Sequence, residues 1–224
     1  MPEDWRERPL GIFGGTFDPV HFGHLRLAEE AADHLQLGEV RWIPAGQPLL
    51  RTAPQVSARH RLAMVRLATA RNPSFEVDAS EVDAAQPSYT VLTLERLRQT
   101  SQLGPRRPLV LLLGADAFAA LPGWHRWQSL LELAHIGVAH RPGFPIDLAR
   151  LPKALLACYR ERFCEQATAL RDTAAGRIAT FAMTPLGISA TQIRTLLANG
   201  SSPRYLLPDE VIAYIRNHRL YPEN

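Results

Sequence analysis

Between Gly14 and Leu25 the chain reads Gly-Gly-Thr-Phe-Asp-Pro-Val-His-Phe-Gly-His-Leu. Its flanks decide what this run can be. Before it, Leu10-Gly11-Ile12-Phe13 is a short apolar stretch that predicts a buried strand. After it, Leu25, Ala28, Ala31, Ala32 and Leu35 recur at helical spacing and predict a helix from Leu25 to Leu37. The run is then a strand–turn–helix junction with its two glycines in the turn. A second strand is expected over Glu39-Val40-Arg41-Trp42-Ile43-Pro44, closed by the proline. Strand, helix and strand in that order form a βαβ unit, whose crossover is parallel and right-handed. The expected fold class is α/β, with a Rossmann-like parallel sheet, helices on both faces and a small C-terminal helical segment.

Glycines after a strand let backbone N–H groups come close to a ligand. A helix start adds partial positive charge and free N–H donors, which suit a phosphate. With a helix beginning near Pro19 or Val20, His21 and His24 lie on one face of its first turn. Two ring N–H donors there can stabilise charge building up on a phosphoryl group. Plainer readings exist. Gly-Gly after a strand is common, and two histidines can be surface residues. A His-x-x-His pair also suits zinc, but no third ligand sits at a useful spacing, so no metal site is expected. The coincidence of glycines and histidines in one short run favours the phosphate.

A chain of 224 residues with 46% hydrophobic content can bury a core of its own. One compact domain is expected, with a nucleotide-binding core over 9–185 and a helical segment over 186–224. No apolar run approaches the roughly 20 residues that span a bilayer, so no membrane partner is expected. Residues 1–8 are polar and read as a loose leader, not a secretion signal. Cys158 and Cys164 fit neither a Cys-x-x-Cys motif nor a disulfide framework, so both read as free thiols in a reducing cytoplasm. The net charge is +3 and Lys153 is the sole lysine. The arginines are scattered apart from Arg106-Arg107, which gives no basis for nucleic-acid binding. A homo-oligomer is left open.

The loop Ala45 to Pro54 follows a strand's carboxyl end, the edge where open α/β sheets bind ligands. Arg51 reaches a phosphate from there or is a solvated loop arginine; local sequence weighs these equally. Ser57 caps a helix to Arg71, Phe75 to Asp78 is a strand, and Ala79 to Pro87 is a polar loop. Ser88-Tyr89-Thr90 opens an amphipathic helix to about Thr100. Pro108 to Gly114 is continuously apolar, as a central strand covered on both faces should be. Asp116, just past Gly114, either takes a ribose hydroxyl or caps the short helix that follows. Trp124 and Trp127 are core residues, or a ring for stacking on a flat ligand. A helix from about Gln128 to Ala134 leads to strand His135 to His140, and Arg177 to Met183 is the last strand. From Phe144 to Arg171 the pattern gives only one or two outer helices. Ser189 caps a helix bearing Ile193, Leu196 and Leu197, and Thr191 and Arg194 join it to make a second anion site. The final helix starts within Tyr205 to Glu210, with Pro208 in its first turn.

The run from Gly14 to Leu25 resembles the signature of the nucleotidyltransferase superfamily, a glycine turn followed by His-x-Gly-His. With Phe-Asp-Pro inside it, the run is similar to that of bacterial nicotinate-nucleotide adenylyltransferases. Ser88-Tyr89-Thr90, Gly114-x-Asp116, Leu121-Pro122-x-Trp124, Arg141-Pro142-Gly143, Ile188-Ser189-Ala190-Thr191-x-Ile193-Arg194 and the tail from Tyr205 to Tyr221 extend the likeness in order and spacing. The resemblance implies adenylyl transfer from ATP to nicotinate mononucleotide, with Mg²⁺ bound alongside ATP. It implies that His21, His24 and Arg194 are catalytic. Gly14, Gly15, Thr16, Phe17, Gly114, Asp116, Ser189 and Thr191 would complete the ATP site. Arg51, Ser88, Tyr89, Thr90 and Trp124 would hold the mononucleotide, Tyr89 and Thr90 through backbone N–H groups and Trp124 by stacking. Two positions depart from the family. Pro48-Leu49-Leu50-Arg51 stands where Pro-Pro-His and a basic residue are usual, and Ser189-Ala190-Thr191 where Ser-Ser-Thr is common. The competing readings are an adenylyltransferase for phosphopantetheine, which the Tyr89-Thr90 and Trp124 motifs disfavour, and a nucleotide sensor without turnover, which only the Leu49-Leu50 change favours.

Overall fold

The structure, a computed structural model, describes residues 8–48, 53–84, 86–100, 106–143 and 146–222. Among these residues lie strands β1 (Leu10–Gly15), β2 (Glu39–Pro44), β3 (Phe75–Val77), β4 (Leu109–Gly114), β5 (His135–His140) and β6 (Ile178–Ala182). The helices are α1 (Phe22–His34), α2 (Ala58–Thr69), α3 (Ser80–Asp83), α4 (Thr90–Gln99), α5 (Ala115–Ala119), α6 (Leu130–Leu133), α7 (Lys153–Arg162), α8 (Ala190–Ala198) and α9 (Asp209–Asn217). Short 3₁₀ turns occupy Leu121–Gly123, Trp127–Ser129, Leu148–Arg150 and Ala167–Arg171.

The strand order is β3-β2-β1-β4-β5-β6. The chain works outward from β1, then returns to its other side with β4, the reversal that defines doubly wound α/β sheets. Leu10 pairs with Leu109 and Ile12 with Leu111, Val110 with His135 and Gly114 with Ala139, and Ile136 with Ile178, all in parallel. Parallel pairing buries both faces of a strand, and the first five residues of β4 and of β5 are buried. The fold is Rossmann-like, with helices around a parallel sheet, as the sequence predicts.

Several boundaries differ from expectation. Gly14 and Gly15 are not in the turn; they are the last two residues of β1. The ladder continues because the Ala45 N–H donates to the Gly15 carbonyl at 2.9 Å. The turn is Thr16 to His21. Helix α1 starts at Phe22, because Pro19 and Val20 are buried in the turn, and ends at His34, because Gln36 takes φ of 52°. The polar loop contains α3, entered where Asp78 Oδ1 accepts the Ser80 N–H at 2.8 Å. Pro208 is the cap of α9 and lies just outside it.

The chain divides into two units built from alternating segments. The first comprises the residues up to Phe13, Ala28–Arg41 and Tyr89–Pro185. Its core joins Ala28 and Ala31 of α1, and Leu35 just beyond it, to Leu94 and Leu97 of α4 and the buried faces of β4, β5 and β6. Two charged or titratable side chains are built into it. The His135 Nε2–H donates to the Thr173 carbonyl at 2.8 Å while its Nδ1 accepts the Arg177 N–H at 2.9 Å, so the ring is neutral and satisfied. The Arg98 guanidinium gathers the carbonyls of Leu133, Arg107 and Ala174 at 2.6–2.8 Å.

The second unit comprises Gly14–Leu27, Trp42–Ser88 and the residues from Leu186 onward. Trp42 is fully buried, with Phe17 and Phe75 each 5.4 Å from it between ring centres. Helix α2 buries Leu62, Met64 and Val65, and α9 buries Val211, Ile212 and Ile215. The α2 ring of His60 meets the Tyr214 hydroxyl at 3.0 Å. Gly46 is required where it stands, since a Cβ there would fall on the Glu81 carbonyl. The Gly46 amide donates to Ser88 Oγ at 3.0 Å and its carbonyl accepts from Arg61 at 3.1 Å.

Candidate active site

The second unit brings together the end of β1, the start of α1 and the start of α8. The His21 carbonyl accepts the N–H groups of His24 and Leu25 at 2.9 and 3.2 Å, which makes His21 the cap residue of α1. His24, three residues on, reaches back: its Nδ1 accepts the His21 N–H at 3.3 Å. This is one half of a capping box, the side chain at the third helical position reaching back to the cap N–H, with an imidazole where Glu or Gln usually stands. A ring whose Nδ1 accepts must carry its proton on Nε2 when neutral. The helix cap therefore fixes the His24 tautomer and leaves Nε2–H as a donor.

The two imidazoles stack with centroids 3.7 Å apart and planes 25° apart. Burial pushes the His21 pKa down from 6.5 to about 4. His24 is held well below 6.5 by burial and then by the proximity of His21. Both rings are thus neutral donors at neutral pH. Phe17, 2% exposed, makes a T-shaped ring contact with His24 at 5.1 Å between ring centres. Gly23 is part of the arrangement, since a Cβ there would press on the His21 ring at 3.0 Å. Gly14 differs from both. It is exposed, and a Cβ would meet only the Ile43 carbonyl at 3.9 Å. Protein packing leaves room for a side chain at Gly14, so its absence suits close approach by a ligand.

Asp18 ties the turn together. Its Oδ1 accepts the Tyr221 hydroxyl at 2.6 Å, its Oδ2 accepts the Gln55 N–H at 2.8 Å, and its backbone carbonyl accepts Arg194 Nη1 at 2.7 Å. The Arg194 Nη2 donates to Thr191 Oγ1 at 3.2 Å. Arg61, 1% exposed, donates to the Thr16 carbonyl at 2.6 Å. Burial lowers the Arg61 pKa, and the charge of Asp18 opposes that shift. Ser189 is the cap of α8, its Oγ accepting the Gln192 N–H at 3.1 Å. Gly14, Gly15, Thr16, Phe17, His21, His24, Ser189, Thr191 and Arg194 all belong to this unit. The sequence reading missed Asp18, Gly23, Arg61 and Tyr221.

Ser88 also lies in the second unit, where its Oγ is occupied by the N–H groups of Gly46 and Gln47 at 3.0 and 3.2 Å. Arg51, like Leu49 and Leu50, falls outside the described residues. The other predicted site residues belong to the first unit. Tyr89 is the cap position of α4 and makes no side-chain cap, so the first-turn N–H groups that begin at Thr90 are not covered by it. The Tyr89 ring lies 4.5 Å from that of His125. Trp124 is half-buried after the turn Leu121–Gly123, so it is not a core residue. Gly114 ends β4 and caps α5, and Asp116 sits inside α5, exposed. The reading of Asp116 as a helix cap is thereby set aside. Among the described residues no three His, Cys, Asp or Glu side chains gather as a metal-holding set. No helix among them is long and apolar enough to cross a membrane.

Residues 12–196 match the family described as cytidylyltransferase-like, so fold and site define a nucleotidyltransferase of that class. A protein of Dechloromonas aromatica named "probable nicotinate-nucleotide adenylyltransferase" is 62% identical over 95% of this chain and 97% of its own length. One of the same name from Acidithiobacillus ferrooxidans is 49% identical over 95% of each chain. The chain belongs to the nicotinate-nucleotide adenylyltransferase family. Among solved structures, the Plasmodium falciparum nicotinic acid mononucleotide adenylyltransferase complexed with NaAD superposes with a TM-score of 0.71 at 16% identity, over 97% of this chain and 98% of that one. That likeness concerns the fold.

Proposed function

We propose that the chain transfers the adenylyl group of ATP to nicotinate mononucleotide, giving nicotinate adenine dinucleotide and pyrophosphate, a step in NAD synthesis. The observation that carries this reading is the neutral His21–His24 pair at the start of α1, with the His24 proton held on Nε2, in a chain of this family.

An oxygen of the acceptor's 5′-phosphate attacks the α-phosphorus of ATP. The bond from that phosphorus to the oxygen bridging to the β-phosphate breaks, and pyrophosphate leaves with the electron pair. The acceptor phosphate is already ionised, so no strong base is required. The serines among the predicted site residues, Ser88 and Ser189, have their Oγ atoms occupied by backbone N–H groups, and direct in-line transfer needs no protein nucleophile. Catalysis is then positioning and charge stabilisation. His21 and His24 face ATP phosphates as neutral donors. Arg194, Thr191 and the first-turn N–H groups of α8, which Ser189 caps, provide the second group of donors, so residues 186–224 complete the ATP site. Gly14, Gly15 and Thr16 shape the pocket, and Asp116 takes a sugar hydroxyl. Tyr89 and Thr90 offer backbone N–H groups to the nicotinate carboxylate, and Trp124 stacks on the pyridine ring.

Mg²⁺ enters as the counter-ion of ATP. Asp18, the carboxylate of the motif, already has a donor on each oxygen, the Gln55 N–H and the Tyr221 hydroxyl. Mg²⁺ held with ATP would take oxygen ligands, and among the described residues no set of His, Cys, Asp or Glu side chains gathers to supply them. When bound it neutralises phosphate charge.

The test is pyrophosphate release with ATP and Mg²⁺, comparing nicotinate mononucleotide, nicotinamide mononucleotide and phosphopantetheine. Turnover with the first well above the others supports the reading. ATP binding without turnover on any acceptor overturns it.

A further inference from the structure

The Asp18 carboxylate and the Arg194 guanidinium are neighbours that do not form a close pair. Nη1 of Arg194 lies 4.0 Å from Asp18 Oδ2, yet 2.7 Å from the backbone carbonyl of the same residue. The reason is visible at the carboxylate. One of its oxygens is taken by the Tyr221 hydroxyl at 2.6 Å and the other by the Gln55 N–H at 2.8 Å. Tyr221 is 5% exposed, and burial together with the bond to Asp18 raises its pKa, so its hydroxyl stays a donor. A carboxylate released from either donor can turn about its own axis toward the guanidinium, which presents a fork suited to bidentate pairing.

We propose that Tyr221 is a positioning residue that turns the Asp18 carboxylate away from Arg194, so that the guanidinium charge stays available to the phosphates of a nucleotide. The inference rests on the reading of Arg194 as an ATP ligand. Tyr221 acts through Asp18, and it joins the glycine motif to the end of the chain across 203 residues. Without it, Asp18 and Arg194 close on one another, and a nucleotide must break that pair to bind.

The test is ATP affinity by titration calorimetry, without acceptor, so that its outcome is separate from turnover. Tyr221→Phe keeps the buried ring and removes one donor. It is expected to bind ATP roughly ten-fold more weakly. In an Asp18→Asn background the charge that competes for Arg194 is gone, and Tyr221→Phe is then expected to change affinity by no more than about two-fold. Wild-type affinity in Tyr221→Phe, or an equal loss in both backgrounds, overturns the proposal. Asp18→Asn alone gives a second reading that survives any folding defect of the Phe variant. It keeps an acceptor for the Tyr221 hydroxyl and is expected to bind ATP at least as tightly as wild type. Weaker binding by a variant whose melting curve is unchanged also overturns it.

Discussion

At position 24 one imidazole has two tasks, and its two nitrogens separate them. Nδ1 closes the start of α1 by accepting the His21 N–H, and Nε2 carries the proton that the proposed mechanism offers to the phosphates. Asn imitates the first nitrogen and Gln the second. His24→Asn is expected to keep melting within a few degrees of wild type while turnover falls by about 10²-fold or more. His24→Gln should retain more activity than His24→Asn; equal activities would show that Nε2 is not the working donor. The stacked pair also makes stability depend on pH. The unfolded chain protonates His21 near 6.5 and the folded one near about 4, so between these values the unfolded state binds more protons. The contribution is present in full above pH 6.5 and is lost as pH falls toward 4. For His21 it amounts to about 3 kcal/mol. Denaturant midpoints across this range should fall with pH more steeply for wild type than for His21→Asn. The two histidines stood out in the sequence because their chemistry is local. Asp18 and Tyr221 did not, because nothing at either position announces a partner 203 residues away.

Helix starts were legible from Ser57 and Ser189, whose side chains accept N–H groups of α2 and α8. Helix ends were less so. Three helices close with the same paired bonds. In α8 the N–H groups of Ser201 and Gly200 reach the carbonyls of Leu196 and Leu197 at 2.8 and 3.0 Å, with Gly200 at φ of 66°. In α9 Leu220 and Arg219 reach Ile215 and Arg216 at 3.0 and 3.1 Å, with Arg219 at φ of 50°. In α1 Leu37 and Gln36 reach Ala32 and Asp33 at 2.9 and 3.3 Å. Only α8 uses the residue that takes a left-handed backbone freely, so only its end carried a sequence signal. The strain at Arg219 is open to relief. Arg219→Gly is expected to stabilise the protein by about 1 kcal/mol, a rise of roughly 2–4 °C in melting temperature. Gly200→Ala should lower it by a similar amount. The glycine pair of β1 was misplaced into the turn for a related reason. Glycine marks turns in general, and only the bond from Ala45 to Gly15 shows that the ladder continues there.

Over the whole molecule the fold class followed from continuous apolar strands separated by amphipathic helices, and the sheet has the expected parallel pairs. What the linear reading lacked was the interleaving. It took 9–185 as a core and 186–224 as a helical segment of the same compact domain; the second unit is assembled from the motif, the middle of the chain and the end. Its buried residues Val211, Ile212, Ile215 and Tyr221 all come from the last segment. A chain ended at Pro185 would leave the partners of those side chains exposed and Asp18 Oδ1 without its donor. Such a chain is expected to lose ATP binding and cooperative melting, as judged by calorimetry and circular dichroism. A sharp transition with ATP still bound would contradict this.

The same interleaving sets a schedule during synthesis. Asp18 leaves the ribosome early and must wait for Tyr221, 203 residues later. At translation speeds of about 5–20 residues per second, the interval is roughly 10–40 s. Through that time His21 and His24 exist without the segment that carries Arg194 and closes their unit. A product of interrupted translation would therefore display the signature motif and still be unable to compete for the cell's ATP.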